Sequence, residues 1–123
     1  NDDSLIETLI NICKNYLKIK EIDKCEKQLE EIYHILKDDD IDGRIECNLI
    51  KYRVYTIKDE LSEAEDVLVN TYKLSKNTDK LRKAGELAIM VGKFYIDHKN
   101  DTQAAKYLDE GVSIFKELGI LQN

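Results

Sequence analysis

One spacing constrains this chain more than any other: a tyrosine with partners at fixed distances, occurring three times. Around Tyr95, Gly92 stands three residues before, Thr102 seven after, Ala104 nine after and Leu108 thirteen after. The same offsets from Tyr55 reach Tyr52, Ser62, Ala64 and Leu68, and from Tyr16 they reach Cys13, Asp23, Cys25 and Leu29. The anchors are separated by steps of 39 and 40 residues. Periods of about 20–50 residues mark stacked units, each of which buries its apolar face against its neighbours. The stretch 85–118 carries the clearest copy.

What the repeated unit is made of follows from what the chain lacks. It has no proline and 5 glycines in 123 residues, with 42% hydrophobic and 36% charged side chains. Helices tolerate that mixture best. The length suits one all-α domain with a real core. Nineteen basic against 25 acidic residues leave a net charge of -6, which disfavours phosphate backbones and anionic membrane surfaces as partners. No apolar run approaches the roughly 20 residues of a bilayer span, and NDDSLIETL has no basic start of a signal peptide. The expected location is the cytoplasm. Because the first residue is Asn1, the chain reads as a piece of a longer protein.

The chain in order gives six helices in three hairpins, about 4–37, 44–76 and 80–118. Ser4 with Glu7, Asp23 with Glu26, and Ser62 with Glu65 read as capping pairs that open helices. In the first helix Leu5, Leu9, Ile12 and Tyr16 follow the rhythm of one buried face; in the second, Leu29, Ile32 and Leu36 do. Ile45, Leu49, Tyr52 and Tyr55 are expected inward in the third, and Val67, Leu68 and Tyr72 in the fourth. Gly119 is the expected stop of the last helix.

These residues resemble the tetratricopeptide repeat: a small residue, an aromatic three later, Ala nine beyond that and an apolar residue four further on. Gly92, Tyr95, Ala104 and Leu108 fit directly, whereas Tyr52 fills a small-residue slot and the steps exceed the usual period near 34. The loosened form is similar to the carboxyl-terminal repeats of bacterial regulators that sense peptides and carry an amino-terminal helix-turn-helix. The resemblance covers essentially the whole chain. It implies a right-handed α-solenoid of three antiparallel helix hairpins that binds a peptide or protein along the surface lined by the first helix of each pair. DNA would be reached only through a separate domain.

On that surface the repeat aligns three columns: Glu7, Glu46 and Glu86; Ile10, Leu49 and Ile89; Lys14, Arg53 and Lys93. An extended peptide needs donors for its carbonyls or carboxylate and apolar slots for its side chains. Matched acids and bases can equally tie neighbouring helices together. The second reading is therefore a scaffold or dimerisation segment without a ligand. Phe115, Leu118, Ile120 and Leu121 near the end call for further helices or a second subunit, including a second copy, to cover them.

Other chemistry finds little footing. Asp38, Asp40, Asp42 and Gly43 match the opening of a calcium loop, but its closing position is Leu49, so they read as a turn with helix-capping aspartates. No metal or cofactor site is expected. His34 and His98 stand singly near helix ends, and no phosphate loop, nucleophile elbow or zinc-binding helix is present. Glu63 and Glu65 read as exposed-face acids. Cys13 and Cys25 occupy facing small-residue slots rather than a disulfide framework. No enzymatic activity is expected.

Overall fold

The computed structural model describes residues 2–122. Among them lie six α-helices and no strand: α1 (Asp2–Lys18), α2 (Ile22–Ile35), α3 (Ile41–Ile57), α4 (Leu61–Asn77), α5 (Leu81–Asp97) and α6 (Asp101–Glu117). None of these is long and apolar enough to cross a membrane.

The repeat anchors have a backbone role that explains their spacing. The carbonyls of Tyr16, Tyr55 and Tyr95 accept N–H bonds from Glu21, Glu60 and Asn100 at 2.9, 2.8 and 2.8 Å. Each bond closes its helix in a Schellman arrangement, with one residue in the left-handed region. Those residues are Lys20, Asp59 and Lys99, at φ 66°, 59° and 59°. Ser75 and Phe115 close α4 and α6 the same way, through Lys80 and Ile120, with Asp79 and Gly119 at φ 58° and 76°. The residue that donates this bond is also the N-cap of the following helix at Glu21, Lys80 and Asn100. A three-residue corner thus serves both ends at once.

The corner from α2 to α3 departs from this plan. Leu36 ends α2 in extended conformation, φ -70° and ψ 128°, and Asp40 caps α3 by accepting from the Gly43 N–H at 2.9 Å. At 14 residues α2 is shorter than the 17-residue helices around it, while Leu36–Asp40 is longer than the other corners. The net loss of one residue makes the first step 39 rather than 40.

Such corners correct the expected caps. Ser4, Asp23 and Ser62 lie inside α1, α2 and α4, because the helices begin one or two residues earlier. Glu21 and Lys80 make no side-chain capping bond, so the sequence carries no capping signature there. The aspartate turn and the Gly119 stop stand where expected.

The chain divides into two compact units, Asn1–Val67 and Leu68–Asn123, the boundary falling inside α4. In the first unit, Ile6, Ile10, Cys13 and Leu17 of α1 pack with Cys25, Leu29 and Ile32 of α2, Leu36, and Cys47, Ile50 and Val54 of α3. Each such aliphatic side chain contributes about 1.5–3 kcal/mol by leaving water. This corrects the expected α1 face by one residue: Leu5 is 49% exposed, and Leu9 and Tyr16 only flank the core. The face expected for α3 is likewise only partly right, since Ile45 is buried while Leu49, Tyr52 and Tyr55 are half-buried. Cys13 and Cys25 do face each other, with Cys13 Sγ 3.9 Å from the Cys25 carbonyl.

In the second unit α5 lies tightly on α6 through glycines. A Cβ on Gly92 would fall 2.5 Å from Leu108 Cδ2, and one on Gly111 would fall 2.8 Å from Ile89 Cδ1. Bare backbone at these points lets the helices approach closely. Tyr107 stacks on Tyr95 at 5.8 Å and meets the edge of Tyr72 at 5.7 Å. Tyr72 Oη donates to Glu110 Oε1 at 2.6 Å, and both burial and this bond push its hydroxyl pKa up.

Candidate functional site

The helix face expected to meet a partner begins on α1 and α3. Glu7, Ile10 and Glu46 line one cleft of about 380 Å³ together with Ile6, Asp40, Asp42 and Gly43. Ile10 is a core residue at 6% exposure, so it supplies floor rather than a projecting contact. Asp40 is occupied by the Gly43 N–H, and a Cβ on Gly43 would lie 2.6 Å from Asp40 Oδ2. The glycine is therefore there to admit the cap. Asp38 stands 3.8 Å from Arg44. Among the described residues no group of three or more His, Cys, Asp or Glu side chains is placed to hold a metal ion.

Lys14 does not stand open to a ligand: its Nζ lies 2.9 Å from Glu46 Oε2, joining the acid and base columns across α1 and α3. Leu49 is half-buried and Arg53 exposed. On α5 Glu86 pairs with Lys83 at 3.2 Å, Ile89 packs on Gly111, and Lys93 is exposed. Three of the nine nominated residues thus meet in one cleft, and a fourth is tied to its rim. A pit with an aliphatic floor and a carboxylate rim can take an apolar side chain and accept N–H or ammonium donors.

Sequence reasoning missed a larger cleft, about 500 Å³, between α2 and α3. Leu29 and Val54 form its apolar floor, Tyr33 and Tyr55 its aromatic walls, and Glu26, Glu30, His34 and Lys51 its polar rim. Tyr33 Oη donates to Asn48 Oδ1 at 2.5 Å, fixing the ring. Lys51 Nζ lies 5.4 Å from the Tyr33 centroid and 6.0 Å from that of Tyr55. Glu26 is bonded by Lys58, whose pKa this hydrogen bond raises, with Nζ–O distances of 3.2 and 3.4 Å. The signal was present in the repeat: Lys51 and Val54 stand 40 residues before Val91 and Phe94.

No nucleophile is activated among the cysteines. Burial pushes the Cys13 thiol up to about 12 and the Cys47 thiol up to about 11, and raises Cys25 too. A reactive cysteine needs the opposite shift.

No protein-family model matches the sequence, and no curated protein does. A solved structure does resemble it: a signal transduction ATPase with numerous domains from Pyrococcus horikoshii, described as carrying a tetratricopeptide repeat sensor. The TM-score is 0.81 at 20% identity, over 94% of this chain and 18% of that one. The fold class is thereby an all-α solenoid of tetratricopeptide-like hairpins. This chain spans under a fifth of its neighbour's length.

Proposed function

We propose that the chain is a protein- or peptide-binding repeat module that receives an extended peptide along the helix face carrying Glu7, Ile10, Lys14, Glu46, Leu49 and Arg53; Glu86, Ile89 and Lys93 are the corresponding positions of α5. The observation that carries this reading is the cleft between α1 and α3. There an apolar floor of Ile6 and Ile10 meets the carboxylates of Glu7 and Glu46. An aliphatic side chain of the peptide enters the cleft while a neighbouring cationic one reaches Glu7. The basic column holds backbone carbonyls or a carboxylate, Lys14 exchanging Glu46 for the ligand. The acidic balance of the chain, net -6, favours such a cationic peptide over an acidic one. The role is non-catalytic.

In the larger protein this module is the ligand-sensing part of a bacterial cytoplasmic regulator whose DNA-binding domain lies elsewhere. The tetratricopeptide repeat sensor of the similar Pyrococcus horikoshii ATPase supports the first half of that reading. The residue-level likeness to peptide-sensing regulators supports the second. The gene sequence upstream of Asn1 tests it, because further repeats alone would remove the regulator. A scaffold or dimerisation segment is the competing reading, favoured by the Lys14–Glu46 pair, which ties one member of each column to helix packing. Titration with a hexapeptide of alternating lysine and leucine separates the two. The peptide-binding module takes it up, and Glu7→Lys weakens the uptake; a scaffold shows no saturable binding.

A further inference from the structure

The cleft between α2 and α3 is a hollow that the chain's own repeat would have filled. Forty residues on from Lys51, Val54 and Tyr55 stand Val91, Phe94 and Tyr95, which are 0%, 6% and 5% exposed. Thirty-nine residues on from Tyr33 stands Tyr72, 2% exposed, whereas Tyr33 and Tyr55 are only half-buried. Two departures one turn apart on α3 make the difference. Val54 replaces a phenylalanine ring with two methyl groups, and Lys51 replaces a buried valine with a cation. Both line the cleft of about 500 Å³, a volume suited to a small ligand.

The lining then specifies what fits. What α3 lacks here relative to α5 is an aromatic ring, and the cleft is lined by Leu29, Val54 and the rings of Tyr33 and Tyr55. The Lys51 ammonium rests against both tyrosines at 5.4 and 6.0 Å. Ring faces leave its N–H donors available to an oxygen acceptor. Of the rim carboxylates, Glu26 is engaged by Lys58; Glu30 and His34 stand one turn apart on α2. We infer that this cleft binds an aromatic carboxylate, its ring on the Leu29–Val54 floor between Tyr33 and Tyr55 and its carboxylate on Lys51.

That chemistry has two sources, a free aryl acid and a peptide ending in phenylalanine. The test titrates the full chain with 3-phenylpropanoate, with its alcohol analogue, and with a phenylalanine-terminated tetrapeptide as free acid and as amide, read by amide NMR shifts. The expected result is saturable shifts at Tyr33, Lys51 and Tyr55 with one of the acids, at a Kd of about 1 mM for the small one, the responding probe identifying the source. Lys51→Val should weaken the acid at least about tenfold and erase its advantage over the alcohol or amide. Val54→Phe, which restores the residue of the third repeat, should fill the hollow and remove binding with helicity intact. No saturable shift with either acid at 20-fold above about 1 mM, or an acid bound equally by Lys51→Val, overturns the inference even if Val54→Phe fails to fold.

Discussion

Leu108 lies over the bare backbone of Gly92, so close that a Cβ there would be 2.5 Å from Leu108 Cδ2 and 2.6 Å from its Cγ. The contact joins two slots of the repeat pattern, and it shows what that pattern encodes: the separation of α5 from α6. Gly92→Ala gains about 1 kcal/mol of helix propensity but forces a branched side chain off its position, which costs about 1–3 kcal/mol. The expected net effect is a loss of roughly 1 kcal/mol, measured by urea unfolding. A more stable variant would show that Leu108 moves aside freely.

Four corners place non-glycine residues in the left-handed region, and each stores strain of about 1 kcal/mol. Asp59→Gly and Lys99→Gly should each raise stability by about 0.5 kcal/mol after the added freedom of the unfolded chain is subtracted. Each gain is read in thermal melts of the single variant. The same corners explain why helix ends were misread. Capping pairs in sequence mark side-chain bonds, yet Glu21 and Lys80 are positioned by the Tyr16 and Ser75 carbonyls.

The Lys14–Glu46 pair is short but has both side chains partly in water, at 47% and 37% exposure. Such a pair contributes about 0–1 kcal/mol. Glu46→Gln should therefore cost less than about 1 kcal/mol, and the cost should vanish in 1 M salt. A larger, salt-insensitive loss in chemical denaturation would move this residue from the surface into the core.

Buried thiols make the fold sensitive to alkali. The folded values of Cys13 and Cys47, about 12 and about 11, lie above the ordinary 9.0. The folded state thus holds these protons more tightly than the unfolded one. Their contribution is whole below about pH 9 and is lost as the pH rises through 11 and 12. Melting temperature should fall across that window, and Cys13→Ala should flatten the fall. A thiol reagent at pH 8 should label none of the three buried cysteines until denaturant is added.

The sequence made the repeat visible because Tyr16, Tyr55 and Tyr95 each close a helix, a role that fixes spacing irrespective of composition. It left the α1 face ambiguous for a physical reason. Repeat helices carry apolar residues on two sides, so Leu5, Leu9, Ile12 and Tyr16 form as regular a stripe as the buried Ile6, Ile10, Cys13 and Leu17. Periodicity alone gives both stripes equal weight. The column alignment found Glu7, Ile10 and Glu46, which share a cleft, and it could not foresee that Lys14 would bond to Glu46. Lys51 and Val54 escaped notice because a search for recurring residues passes over the places where the repeat breaks.

The helix face of α1 and α3 stands at the centre of the functional reading, and calorimetric titration with the alternating lysine–leucine hexapeptide addresses it directly. Wild-type protein should bind saturably. Glu7→Lys, an exposed change that leaves the helical spectrum intact, should weaken binding by at least about tenfold, the scale of one charge-assisted contact. Equal binding by the two proteins, or none by either, would contradict the assignment of this face.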